Sequence, residues 1–267
     1  MGDPPLKVRD PITALLRRDR WVVLGGLAAL TLLTAVESRS VGDAMMRTPS
    51  PLFCVSPLAR WGPAELATIA LMWSVMMVAM MTPTASPMVL AFAGLERRRI
   101  GGTGAPWGTT STFLSGYLLV WMGFSVLATL AQWGLHSAAM LSAGGMKMAS
   151  SSVAAVLLVS AGVFQFSSAK SACLKHCRTP VGFLLSEWRA GMGGALVMGV
   201  RHGLYCVGCC WLLMLLLFVA GVMNAAWCAA LAALVLAERV LPGGLWLARA
   251  VGVVLALSGG GLAAGIW

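Results

Sequence analysis

Between Thr110 and Gly134 the chain passes through an unbroken apolar stretch with no Lys, Arg, Asp or Glu, and comparable runs recur along its 267 residues. A run of this kind cannot be hidden inside one soluble domain, whereas about 20 predominantly apolar residues are what a helix needs to cross a bilayer. Hydrophobic residues make up 59% of the chain and charged residues 10%, against about 25% charged in an ordinary soluble domain. Soluble, secreted and disordered classes are therefore excluded. The expected fold is an all-α polytopic membrane protein. The formal charge of +10 reads as loop-borne orientation signals rather than a nucleic-acid surface.

Seven spans are expected: Trp21–Val36; Ala64 through Met81 and, beyond Pro83 and Pro87, on to Gly94; Thr110–Gly134; Ser152–Ala169; Gly203–Met223; Ala225–Ala237; and Leu245–Trp267. The second is expected to be broken at its prolines. Residues 181–200 are apolar but interrupted by Glu187, Trp188 and Arg189, and read as a surface or re-entrant helix. With the N-terminus inside, only Arg39, Arg47, Arg60 and Lys147 of the 19 Lys and Arg fall on the outer side, which satisfies the positive-inside rule. Residues 1–20 then form a basic cytoplasmic segment and 21–267 one transmembrane domain.

Two groups of residues carry chemistry. Met72, Met76, Met77, Met80 and Met81 recur at helical spacing over one half of the second span, with Met88 beyond the prolines. Methionine packs adaptably and such a face can be plain core, but thioethers are also uncharged soft ligands that hold Cu(I) without burying a carboxylate. The second group holds five of the 7 Cys and two of the 3 His. Cys173, His176 and Cys177 are expected on a basic cytoplasmic loop. His202, Cys206, Cys209 and Cys210 open the fifth span and, on a helix, fall within an arc of about 100°. Disulfides are disfavoured on a reducing face. The set suits Cu(I) or Zn²⁺, or dithiol exchange by Cys206, Cys209 and Cys210 with Arg201 and Lys175 lowering a thiol pKa. His136, Met140, Met146 and Met148 offer first-contact ligands on the outer face. Cys54 and Cys228 stand alone and read as core, and Glu238 beside Arg239 reads as an interfacial pair.

The order of three blocks resembles one bacterial family. The blocks are Met72 to Met81 with Pro83, Pro87 and Met88; Gln165 through Cys173, Cys177 and Pro180 to Leu184; and His202 through Cys206, Cys209 and Cys210 to Met214, Asn224 and Glu238. The family consists of predicted metal-binding integral membrane proteins, long carried as a domain of unknown function. Some of its members are linked to copper delivery to tyrosinase- or laccase-type oxidases. The resemblance implies a copper role, with the second-span methionines, Cys173, Cys177, His202, Cys206, Cys209 and Cys210 as metal ligands. Thr82 and Thr84 depart from the family pattern around Pro83, and Cys228 stands where Met is usual.

The expected function is therefore Cu(I) transport or delivery in a bacterial inner membrane rather than catalysis, with Zn²⁺ as the alternative metal. Expected partners are membrane lipid, a copper enzyme or soluble metallochaperone, and further copies of the chain, but not nucleic acid. A membrane thiol–disulfide oxidoreductase and a zinc-binding assembly protein are the rival readings. No phosphate-binding loop is present to drive an ATP pump.

Overall fold

A computed structural model describes residues 61–99, 107–141, 148–222 and 224–266. The expected first span, the basic segment 1–20, Cys54 and Met146 lie outside the described residues. Within them the chain is all-helical, its only β feature being an isolated bridge between Leu141 and Met148. The helices are α1 (Pro63–Arg99), α2 (Trp107–Ser137), α3 (Ser151–Phe164), α4 (Ser168–Arg178), α5 (Pro180–Glu187), α6 (Gly191–Leu215), α7 (Leu217–Ala220), α8 (Ala225–Val240) and α9 (Gly244–Ala263).

Four helical stretches are long and apolar enough to cross a membrane: Pro63–Arg99, Trp107–Ser137, Gly191–Ala220 and Gly244–Ala263. A fifth crossing arises if α3 and α4, bent by 64° at their junction, count as one span. α8, at 16 residues, is shorter than the length a crossing helix ordinarily needs.

Three sequence expectations are corrected. α1 is not broken at Pro83 and Pro87 but runs as one helix of 37 residues. Hydroxyls take up backbone carbonyls around the prolines: Ser86 Oγ donates to Pro83 O at 2.6 Å, the carbonyl that Pro87 has no N–H to reach, and Thr82 Oγ1 donates to Val78 O at 2.7 Å. Residues 181–200 are not one surface helix. The chain turns at Trp188–Ala190, which divides α5 from a continuous α6. Trp188 is pinned there between the Phe92 ring at 5.5 Å and the Arg99 guanidinium at 4.7 Å. Finally, Cys173 and Cys177 lie not on a loop but on α4. Ser167 caps that helix by accepting from Lys170 N at 3.1 Å, and its Leu174 and Cys177 are buried.

Close backbone approach sets the frame of the site. α2 and α6 cross at Gly116 and Gly199, where a Cβ on Gly199 would collide with Phe113 O. This brings Tyr117 of α2 against the middle of α6. Gly208 leaves room for Cys173 Sγ, which a Cβ there would meet at 2.8 Å, so α4 lies directly on α6. Arg178, at the end of α4, donates to Glu238 O at 2.8 Å and Leu241 O at 2.7 Å. It thereby satisfies the open carbonyls at the C-terminus of α8.

Candidate metal centre

Cys206, Cys209 and Cys210 sit at i, i+3 and i+4 on α6, so their side chains share one face. All three are buried and none is in a disulfide. Cys209 and Cys210 turn their thiols back to Cys206 O, at 3.1 and 3.0 Å. From α4, the buried thiol of Cys177 interacts with Cys209. Cys173, half-buried, stands beside them against Gly208.

Helix α1 closes the other side. The Tyr117 hydroxyl donates to Met81 O at 3.1 Å and lies 3.1 Å from Cys206 Sγ. Thr84 Oγ1 donates to Met81 O at 2.8 Å and approaches Met81 Sδ at 3.7 Å. The C-terminal half of the methionine face and the thiols of α6 thus meet around Tyr117 and Thr84.

Arg239 lies in the middle of this arrangement. Its Nη2 donates to Cys206 Sγ at 2.8 Å and reaches Cys209 Sγ at 3.6 Å, while Nη1 donates to Thr84 Oγ1 at 3.1 Å and Thr84 O at 3.2 Å. Only 6% of the residue is exposed, and its described hydrogen-bond partners are thiols, a hydroxyl and a carbonyl. The neighbouring carboxylate serves another cation: Glu238 pairs with Lys170 Nζ at 2.7 Å, both fully buried. The expected interfacial Glu238–Arg239 pair is therefore corrected, because these consecutive residues part to different partners. Arg201, expected to act on the thiols, is instead paired with Glu187.

The remaining site residues are distributed more widely. His202 is buried one turn before Cys206, between the rings of Tyr117, Phe183 and Phe113 at 5.5, 5.8 and 6.2 Å, and neither ring nitrogen has a hydrogen-bond partner among the described residues. Met88 packs in a separate cluster with Phe92, Phe113 and Met198. Met77 and Met80 are buried in the main core, while Met72 and Met76 are half-buried at its edge. Toward the Pro63 end, His136 stacks on Trp61 at 4.1 Å, Met140 is exposed, and Met148 is buried with its N–H on Phe218 O at 2.8 Å. Among the described residues no group of three or more His, Cys, Asp or Glu side chains is arranged to hold a metal ion.

Sequence reasoning missed Arg239, Tyr117 and Thr84. The signal for Arg239 was present: Leu231, Val235 and Glu238 are buried at helical spacing on α8, and Arg239 continues that stripe four residues after Val235.

A family model described as PpoB2, copper chaperone, matches residues 70–262. The chain belongs to this copper chaperone family. The match covers every helix from α2 to α8, most of α1 and nearly all of α9, so the methionine face and the thiols both fall within the family region. A link to copper delivery, inferred above from three sequence blocks, is thus upheld. No curated protein and no solved structure matches the chain.

Proposed function

We propose that this chaperone is a multi-pass inner-membrane protein that holds Cu(I) at Cys206, Cys209 and Cys210, with Cys177 and Cys173 at the rim and Met81 beside them, and passes it to a copper enzyme or soluble carrier. The observation that carries this reading is Arg239. A guanidinium is always charged, and a buried charge without a counter-charge is costly. Its nearest partners are thiols, so the fully assembled site calls for an anion at that position. Cu(I) held by two thiolates has a net charge of −1, which one guanidinium neutralises. Soft thiolate and thioether donors favour Cu(I), and two thiolates are enough for a digonal ion, so three converging ligands are not required. Zn²⁺ held by four thiolates would carry −2 and leave one charge uncompensated.

Seven spans, including Trp21–Val36 and α8, place the N-terminus and Arg97, Arg98 and Arg99 in the cytoplasm. The Pro63 end of α1 then faces outward, with His136, Met140, Met146 and Met148 as the entry rim. Residues 1–20 form the cytoplasmic segment and 21–267 one membrane domain.

Anaerobic titration of the reduced, full-length protein with Cu(I) against a competing chelator, with Zn²⁺ in parallel, tests this. Tight retention of Cu(I) in preference to Zn²⁺ is expected. Weak retention, with the thiols instead cycling through a defined disulfide, would establish the oxidoreductase reading.

A further inference from the structure

A second sulfur pair lies apart from the thiol centre. Cys228 is in the first turn of α8, after the Asn224 cap, and its Sγ donates to Met76 Sδ at 3.7 Å, with Val222 O at 3.6 Å. Both residues are half-buried and pack on the main core. Met72, Met76 and Met80 are four residues apart and line one face of α1, and Cys228 meets that face at its middle rung. Eight residues of α1, about 12 Å along the axis, separate Met76 from Thr84, where Arg239 is anchored. No hydrogen bond or ion pair among the described residues brings a charged group to either sulfur.

We propose that Met76 and Cys228 form a second site for a soft monovalent cation, Cu(I) or its analogue Ag(I), on the outer side of the thiol centre. The inference rests on the copper reading above and extends it. On binding, Cys228 releases its proton to water, and the thiolate and the thioether hold the ion. One negative and one positive charge leave a neutral unit, so this site needs no arginine. Onward movement is ligand exchange: the bond to the Cys228 thiolate breaks as bonds form to Met80 and then to a Cys206 or Cys209 thiolate. The proton displaced from the receiving thiol is balanced by one taken up at Cys228. No electron is transferred.

The test uses full-length protein in lipid nanodiscs with Cys206, Cys209 and Cys210 changed to Ser. Maleimide labelling of Cys228 is followed by mass spectrometry with and without Ag(I). Ag(I) is expected to slow labelling of Cys228 about tenfold, equivalent to about 1.4 kcal/mol, and Met76→Leu should abolish that protection. In the otherwise intact chain, Cys228→Ser should slow Cu(I) loading of the thiol centre and Cys228→Met should restore it, which separates ligation from folding. Unprotected Cys228 together with normal Cu(I) loading in Cys228→Ser would overturn this site while leaving the copper centre standing. Failure of the wild-type chain to retain Cu(I) would overturn the copper reading itself.

Discussion

The two ends of the methionine face are built differently. Where α1 meets the C-terminal end of α8, Arg239 joins Thr84 to the thiols of Cys206 and Cys209, with Cys177 and Cys210 also buried. Where α1 meets the start of α8, one thiol and half-buried thioethers stand with no charged group against them. Both ends offer soft donors, but only the first contains a fixed cation. On the proposed reading, charge rather than ligand type is what separates a retaining site from a relay. A bis-thiolate complex is stable in a low-dielectric interior only beside a counter-charge, while a thiolate–thioether pair neutralises Cu(I) unaided and releases it more readily.

Replacing Cys206, Cys209 and Cys210 together by Ser should have the largest effect, the loss of tight Cu(I) binding in a chelator competition. Unchanged affinity would move the copper away from α6. Next is Lys170→Met, which leaves the buried Glu238 carboxylate unpaired and should cost about 3–5 kcal/mol of stability. Thermal unfolding in detergent should show a much milder loss when Glu238→Gln is added, and no such rescue would mean that the pair is not coupled. Arg239→Met should weaken Cu(I) roughly 10–100-fold, the range for groups that support metal ligands. Arg239→Lys should recover part of that affinity, because it restores a cation at that position. No recovery in Arg239→Lys would indicate collapse of the site rather than loss of a counter-charge. The smallest effect belongs to Gln132→Ala, which removes the hydrogen bond from Trp73 Nε1 at 2.7 Å. About 0.6 kcal/mol is typical of such a bond between membrane helices, so unfolding should shift slightly while Cu(I) affinity stays constant.

Helical architecture was legible in the sequence because uncharged runs of span length have few alternatives, and the boundaries of α2 and α9 followed from them closely. The course of α1 was not, because the helix continues through both prolines, with Ser86 taking up the carbonyl that Pro87 leaves open. Residues 181–200 misled for a related reason: Glu187 and Arg189 mark a turn between two helices rather than the middle of one. At the site, the spacing of Cys206, Cys209 and Cys210 was enough to place them on one face. Cys177 was grouped with them, but its place on a helix rather than a loop was not legible, since the packing of α4 on α6 depends on Gly208. Nor did it separate Arg239 from Glu238. Adjacent opposite charges look like partners in sequence, yet consecutive helix positions differ by about 100° and point to different neighbours.

X-ray absorption at the copper edge of the Cu(I)-loaded, full-length protein tests the central claim most directly, by comparing wild type with a variant in which Cys206, Cys209, Cys210 and Cys228 are all changed to Ser. The account predicts a shell of sulfur neighbours alone in the wild type and loss of that shell in the variant. A shell dominated by nitrogen and oxygen, or one identical in the two proteins, would contradict it.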